Sequence, residues 1–286
     1  MVGPRGVTYE YALDDQGGGV LSPLAAGRGA LNGMRMIKAE GCGNGFLVYG
    51  MTEFTEQTPL HYFDGTEVRR FPHAPASMTQ QNWVRSILAN GPDDLVINWM
   101  SDLTYNWGTM RWDGSSWQDM GDRFAGTTPR KVNQFWRSPS GKLYAADANK
   151  VAVYDNPEWS TLLPLEQLQQ GEELTCLWGR SDSEIYAGSS LGRILRYNGS
   201  SWSEETTPAE TRIAGIAGYG SNTYAVGEGG NAWRRSGGSW QQMAGIEVRE
   251  NNNFLSIITA ADGVYASQTT DEGTTDGGLG RLWKFS

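Results

Sequence analysis

Short hydrophobic runs alternate with polar, Gly-rich segments along the whole chain of 286 residues. Runs such as LTCLW at 174–178 and EIYAG at 184–188 are about five residues long and are bounded by Ser, Asp, Asn and Gly. Runs of this length predict β-strands, and the polar clusters between them predict tight turns. We therefore predict an all-β fold.

One hairpin sequence recurs four times, as RWDGSSW at 111–117, VYDNPEW at 153–159, RYNGSSW at 196–202 and RRSGGSW at 234–240. The final Trp residues are spaced by 42, 43 and 38 residues. Asn or Asp before Gly supplies the positive φ that a tight hairpin needs. The recurrence therefore marks the same turn in successive repeats.

Each repeat contains four predicted strands, which we label a to d. A short turn joins a to b, a variable loop joins b to c, and the recurring hairpin joins c to d. Strand b is marked by Tyr144, Tyr186, Tyr224 and Tyr265. Four antiparallel strands repeated about every 40 residues are typical of a β-propeller blade. The predicted blades of this single domain lie near 34–75, 81–122, 131–165, 173–207, 211–245 and 252–286.

Residues 1–33 are predicted to close the ring, with strands at 7–12 and 19–25. One of these strands is expected to pair with 281–286, because ring closure removes exposed strand edges. This arrangement gives six four-stranded blades. A count of seven stays open, since VTYEYALDDQGGGVLSPL at 7–24 has the pattern of a hairpin of its own.

The recurring Trp and the remaining special residues fit structural roles. A large aromatic side chain at a repeated position is expected to fill the gap between adjacent blades. Cys176 lies in an apolar run and is predicted to be a small core residue, with no disulfide to Cys42. His61 and His73 have no Ser or Cys motif that would make a catalytic triad.

The segment WGRSDSEIYAGSSLGRILRYNGSSW at 178–202 resembles propeller repeats of secreted and lipoprotein-type proteins from myxobacteria and related bacteria. The similarity extends through the repeat that follows it and is looser in the other repeats. The resemblance implies a propeller that binds another molecule, and it specifies the blade without specifying a ligand. The Asp box of sialidase-type propellers is not matched, because Gly follows Asp113 directly.

The net charge of −9 argues against nucleic acid and against anionic membrane surfaces as partners. No apolar run reaches the length of a membrane-spanning helix, and no signal peptide opens the chain. The start MVGPRG is compatible with a signal removed upstream. We therefore expect an extracellular, periplasmic or cell-surface location, with a cytoplasmic one left open.

Three b–c loops are much longer than the rest, at 51–59, 100–108 and 268–280. If the last blade closes against the first, these loops lie in one sector of one face, where binding residues are often found. The sector is acidic and aromatic, and its predicted binding residues are Glu53, Phe54, Glu56, Asp102, Tyr105, Trp107, Asp271, Glu272 and Asp276.

We therefore expect a non-enzymatic binding or scaffold module that recognises a protein or a surface glycan through these loops. No cofactor is predicted, although the oxygen-rich Asp271, Glu272 and Asp276 are candidate ligands for calcium. The alternative is a carbohydrate-active hydrolase or lyase, because propeller active sites are assembled from different blades and leave little trace in sequence. The oligomeric state stays open.

Overall fold

A computed structural model gives the structure of the protein, and it describes most of the chain. The described residues are 9–13, 19–23, 34–42, 45–52, 60–63, 68–71, 82–101, 107–121, 129–205, 207, 210–246, 248–250, 252–270 and 279–285. The chain divides into two compact units, Met1–Lys131 and Val132–Ser286. Each unit is described by itself.

The first unit contains one hairpin and two four-stranded antiparallel sheets. The hairpin consists of β1 (Tyr9–Leu13) and β2 (Gly19–Pro23). Sheet 1 consists of β3 (Met34–Cys42), β4 (Gly45–Thr52), β5 (Leu60–Phe63) and β6 (Val68–Arg70). Sheet 2 consists of β7 (Asn82–Gly91), β8 (Asp94–Ser101), β9 (Trp107–Trp112) and β10 (Trp117–Asp119).

The second unit contains three four-stranded sheets and one three-stranded sheet, all antiparallel. Sheet 3 is β11 (Val132–Arg137), β12 (Leu143–Asp147), β13 (Lys150–Asp155) and β14 (Glu158–Leu163). Sheet 4 is β15 (Leu174–Ser181), β16 (Glu184–Ser189), β17 (Ile194–Tyr197) and β18 (Trp202–Glu205). Sheet 5 is β19 (Ile213–Tyr219), β20 (Asn222–Gly227), β21 (Ala232–Ser236) and β22 (Ser239–Gln242). Sheet 6 is β23 (Asn253–Ala260), β24 (Gly263–Thr270) and β25 (Leu279–Phe285).

The described residues also include two short 3-10 helices, Leu165–Gln167 and Glu228–Gly230. No helix in this part of the chain has the length and apolar character required to cross a membrane. The all-β prediction is confirmed, and every four-stranded sheet runs in the predicted a-b-c-d order.

The predicted count of six or seven four-stranded blades is wrong, because the described residues form five four-stranded sheets. Within the described residues, sheet 6 has three strands. Among the described strands, sheet 6 contains β23, β24 and β25, and the predicted pairing of an N-terminal strand with 281–286 is not found there. Instead β1 pairs with β2 and places Tyr9 opposite Pro23. A pairing between neighbouring strands closes a short loop, and this costs less entropy than a pairing across the whole chain.

Hydrophobic side chains join each sheet of the second unit to the next one. Leu163 of sheet 3 and Leu177 of sheet 4 share one buried cluster, while Cys176 of sheet 4 and Ile216 of sheet 5 share another. A third cluster joins sheets 5 and 6 through Val226. In the first unit, sheets 1 and 2 share a cluster in the same way. A sheet with two apolar faces is stable only when both are covered, and stacking achieves this. Cys176 is fully buried, as predicted for a core residue.

The recurring Trp residues fill the space between sheets, which confirms the predicted role for two of them. Trp202 of sheet 4 donates its Nε1–H to the carbonyl of Leu162 in sheet 3, at 3.0 Å. Trp240 of sheet 5 donates to Glu205 Oε2 in sheet 4, also at 3.0 Å. Each Trp thus provides buried apolar area and a polar link to the preceding sheet.

The hairpins DGSS and NGSS are held by the same hydrogen bonds. Asp113 Oδ1 accepts from the backbone N–H groups of Ser115 and Ser116 at 2.9 and 2.8 Å. Asn198 Oδ1 accepts from the corresponding groups two and three residues later, at 3.0 and 2.9 Å. The following glycine adopts φ of +90° in the first turn and +96° in the second. Only glycine takes that conformation without strain, which explains its recurrence.

We predict that Asp113→Asn keeps the hairpin, because Asn198 makes the same backbone bonds in the sister turn. The hydrogen bonds from Ser116 and Ser115 lower the pKa of Asp113 well below its ordinary value of 3.8. A carboxyl with a lowered folded pKa contributes stability above its unfolded pKa, and this contribution is lost as the pH falls toward the folded value. The melting temperature of the wild type should therefore exceed that of the Asn variant near neutral pH, and the difference should shrink below about pH 4. A difference that grows on acidification would contradict the assignment.

Candidate functional site

The sequence-predicted binding sector falls almost entirely outside the described residues. This holds for Glu53, Phe54, Glu56, Asp102, Tyr105, Asp271, Glu272 and Asp276, including the three candidate calcium ligands. The strands beside the long loops extend further than predicted, since β4 ends at Thr52, β8 at Ser101 and β24 at Thr270. The three loops are therefore shorter than the sequence pattern indicated.

Trp107 is the one predicted binding residue that the structure describes. It was predicted to lie in a loop, but it is the first residue of β9 and pairs with Met100 of β8. Its ring is half-buried, and the guanidinium carbon of Arg85 lies 5.9 Å from its centre. Such a cation–π contact fixes the ring in one orientation. Part of Trp107 thus remains accessible to a ligand, on a rigid strand.

Metal-ligating and catalytic groups are not concentrated at one place in the described structure. No group of three or more His, Cys, Asp and Glu side chains there is arranged to hold a metal ion. His61 lies on β5 and is buried, in agreement with the predicted structural role.

The b–c turns and d–a connections of the second unit form one continuous surface, which we call the b–c face. Its described parts are the turns at 148–149, 190–193 and 228–231 and the connections at 164–173, 207, 210–212, 243–246, 248–250 and 252. Backbone hydrogen bonds join turns to connections, for example from Ser190 N to Glu173 O at 2.8 Å and from Arg249 N to Gly229 O at 3.0 Å. The face is therefore a rigid backbone framework.

A surface depression of about 390 Å³ opens on the b–c face beside the connection from sheet 3 to sheet 4. It is lined by Asn149, Leu168 and the run Gln169–Gln170–Gly171–Glu172–Glu173. Five of the seven lining residues carry an amide or a carboxylate, so the depression offers polar contacts beside apolar ones. Leu168 adds an apolar patch and is only partly buried.

Glu172 is the most unusual residue of this lining, because its side chain is fully buried. Its Oε2 accepts from Arg193 Nη1 at 2.5 Å and from the backbone N–H of Gln169 at 2.8 Å. Arg193 also contacts Glu204, whose Oε2 lies 2.9 Å from the guanidinium. Partial burial opposes the charge on Arg193, but hydrogen bonds to Glu204 and Glu172 raise its pKa. Arg193 thereby holds the Glu172 carboxylate in place in the lining of the depression.

Exposed apolar side chains accompany the depression on the same face. Leu191 is 41% exposed in the b–c turn of sheet 4, and Val248 is 54% exposed in the connection from sheet 5 to sheet 6. Large apolar side chains on turns are available to a partner without rearrangement of the core. Neither residue could be predicted as a binding residue from the sequence, since single hydrophobic residues in loops are common.

The a–b turns and c–d hairpins of the second unit form the opposite face, where side chains make contacts between sheets. Tyr144 of sheet 3 donates to Asp182 Oδ1 in the a–b turn of sheet 4 at 3.0 Å. Burial and this hydrogen bond raise the pKa of Tyr144. Arg180 binds the next a–b turn through the carbonyls of Gly220 and Asn222. The polar groups of this face therefore have structural partners, as predicted from its short and regular turns.

A search against protein-family models finds no match, and no curated protein matches the sequence. Solved structures do match. YCF48 bound to D1 peptide is 18% identical with a TM-score of 0.64, over 93% of this chain and 83% of that one. The WD40 β-propeller domain of Doa1 is 14% identical with a TM-score of 0.67, over 98% of this chain and 87% of that one. Virginiamycin B lyase from Staphylococcus aureus is 12% identical with a TM-score of 0.61, over 93% of this chain and 89% of that one.

At these identities the likeness shows the fold and nothing finer. The chain has an all-β propeller fold, which confirms the predicted architecture. Its five four-stranded sheets are complete blades, and the Trp-containing hairpins are blade hairpins.

Proposed function

We propose that this protein is a non-catalytic propeller module that binds an extended segment of a partner protein on the b–c face. One observation carries the proposal: this face combines a depression lined by amide and carboxylate groups with the exposed apolar side chains of Leu191 and Val248. Extended segments are recognised by polar contacts to their main chain together with apolar contacts to their side chains. Both kinds of contact are present on this face.

The structural comparisons support a peptide as the class of ligand. The YCF48 structure that resembles this chain was solved with a D1 peptide bound. Propellers also serve widely different functions, so the likeness alone does not choose among them. The surface chemistry of this chain favours the peptide-binding alternative.

The surroundings of Tyr186, a tyrosine with a raised pKa, support a binder over a carbohydrate-active enzyme. Burial and a hydrogen bond to Glu184 raise the pKa of Tyr186 to about 12. The guanidinium carbon atoms of Arg196 and Arg235 lie 5.9 and 5.7 Å from the centre of its ring. Catalytic groups have pKa values matched to proton transfer and face a cleft. Tyr186 is fully buried within a network that links sheets, so it serves packing.

The three long loops are proposed as a second contact region, for a protein or a surface glycan. Trp107 is the described residue that tests this proposal, since half-buried aromatic rings are frequent anchors for either ligand. Loss of binding to the protein or glycan in Trp107→Ala, with an unchanged melting temperature, would support this second contact region. Equal binding by the variant and the wild type would count against it.

The proposed function can be tested with a random-peptide phage-display library selected on the immobilised wild-type protein. Leu191→Asp places a charge on the b–c face, whereas Tyr219→Asp does the same in an a–b turn. The two side chains are matched in exposure, at 41% and 36%. Selected peptides should lose about 30-fold or more in affinity for the Leu191 variant, as expected for an interface hot spot. They should bind the Tyr219 variant like the wild type, and the reverse ranking would refute the assignment of the face.

A further inference from the structure

We propose that the depression beside Glu172 binds an ammonium group, namely the side chain of a lysine in the bound segment. This inference rests on the proposed function, because it specifies what the b–c face recognises. It starts from an imbalance in the hydrogen bonding of a single buried carboxylate.

Glu172 is 3% exposed, and only one of its two carboxylate oxygens has donors. Arg193 Nη1 and the Gln169 N–H both donate to Oε2. Within the described structure, Oε1 is enclosed and accepts no hydrogen bond. An enclosed carboxylate oxygen without a donor is unfavourable, so a ligand that supplies a donor gains free energy on binding.

The surrounding charge selects a cationic donor. The lining contains two carboxylates, Glu172 and Glu173, and no basic residue. Arg193 is shared between Glu172 and Glu204, so two carboxylates lie against one guanidinium. This excess of negative charge favours a positively charged ligand group.

The donor arrangement favours an ammonium group over a guanidinium or a metal ion. A guanidinium binds a carboxylate best through two parallel hydrogen bonds, and Arg193 and Gln169 already use Oε2. A divalent cation needs several charged oxygen ligands, which the described lining does not provide. An ammonium has three donors that point in different directions, suited to Oε1 and the side-chain amide oxygens of Asn149 and Gln169.

Access requires a local rearrangement. Gln169 and Gln170 are exposed, and Gly171 adopts φ of +77° with no atom within 4 Å of a Cβ at that position. Both glutamines line the depression beside Glu172, and long, exposed side chains change rotamer at little cost, so the lining can rearrange while the backbone framework remains in place. Binding should therefore order the side chains of 169 and 170 and leave the strands unchanged.

The inference can be tested on the wild-type protein by ¹⁵N–¹H NMR titration with Nα-acetyl-lysine methylamide. We expect saturable shifts of the amides at 149 and 168–173. The Nε-acetylated probe and the corresponding arginine probe should give much smaller shifts there. Spermidine is titrated as a further cationic probe. If spermidine shifts these amide signals and the lysine probe does not, the site binds a free polyamine. Equal shifts for the lysine and acetyl-lysine probes would overturn the proposal.

Glu172→Gln should weaken binding of the lysine probe by about 10-fold or more, because it removes the charge from the acceptor. Glu204→Gln is the matched control, since Glu204 contacts the same arginine but does not line the depression. It should weaken binding of the probe less than Glu172→Gln does, because Glu204 lies outside the lining of the depression. A folded Glu172→Gln protein with unchanged affinity would refute the proposal, and if this variant does not fold, the comparison of acetylated and free lysine on the wild type decides.

The two proposals fail in different ways. Display-selected peptides that bind the b–c face without lysine enrichment would refute the ammonium site and leave the proposed function intact. Binding of the lysine probe without binding of any display-selected peptide would refute the proposed function and leave the ammonium site intact.

Discussion

Trp233→Ala is expected to destabilise the protein by about 3–5 kcal/mol, the range for removing a large aromatic from a well-packed core. Trp233 lies on β21 and is fully buried in the cluster that joins sheets 4 and 5. The backbone at Gly227 lies against its ring, so the surrounding structure has little room to collapse into the cavity. Urea unfolding followed by far-UV circular dichroism measures the decrease in the free energy of unfolding.

Leu191→Ala is the control, because an exposed side chain on a turn contributes within about 0.5 kcal/mol. Trp233→Phe should lie between the two variants, since it keeps an aromatic ring in the same cluster. A loss below about 1 kcal/mol for Trp233→Ala would show that this interface between sheets contributes little to stability.

Glu205→Ala is expected to cost about 2–4 kcal/mol, because it leaves buried donors of the next sheet without an acceptor. Arg235 donates to the two carboxylate oxygens of Glu205 at 2.8 Å each, and Trp240 donates to Oε2. The Glu205 side chain is only 11% exposed. Solvent therefore replaces these bonds poorly when the carboxylate is removed.

Glu204→Ala provides the matched control one residue away. Glu204 pairs with Arg193 but is 47% exposed, so its removal should cost less than about 1 kcal/mol. Replacing both Glu205 and Arg235 by Met should recover part of the loss, since an apolar pair leaves no uncompensated charge. A Glu205→Ala protein as stable as Glu204→Ala would show that the network is not structural.

The blade repeat was readable from sequence because its signals are local. An Asn or Asp before Gly determines the hairpin, and the following Trp lies opposite a strand-c aromatic residue, as Tyr197 and Trp202 show. The same reasoning found Cys176 and His61 as buried residues. The closing strand was not readable, since nothing local distinguishes a distant partner from the adjacent β2.

The candidate site was harder to find for a physical reason. The segment EQLQQGEE at 166–173 is polar and has the composition of a solvated loop. Glu172 is nevertheless buried, because Arg193 reaches it from a turn 21 residues later. An ion pair between residues this far apart in the sequence depends on tertiary structure, so no local pattern predicts it. Trp107 illustrates a different error, because the sequence pattern predicts a loop at the position where strand β9 begins.

The most direct test of peptide recognition is hydrogen–deuterium exchange of the wild-type protein with and without a display-selected peptide. The account predicts slower exchange at 147–150, 168–173 and 189–193, with the a–b turns at 138–142 and 219–222 unchanged. Protection confined to those a–b turns and the c–d hairpins would contradict it.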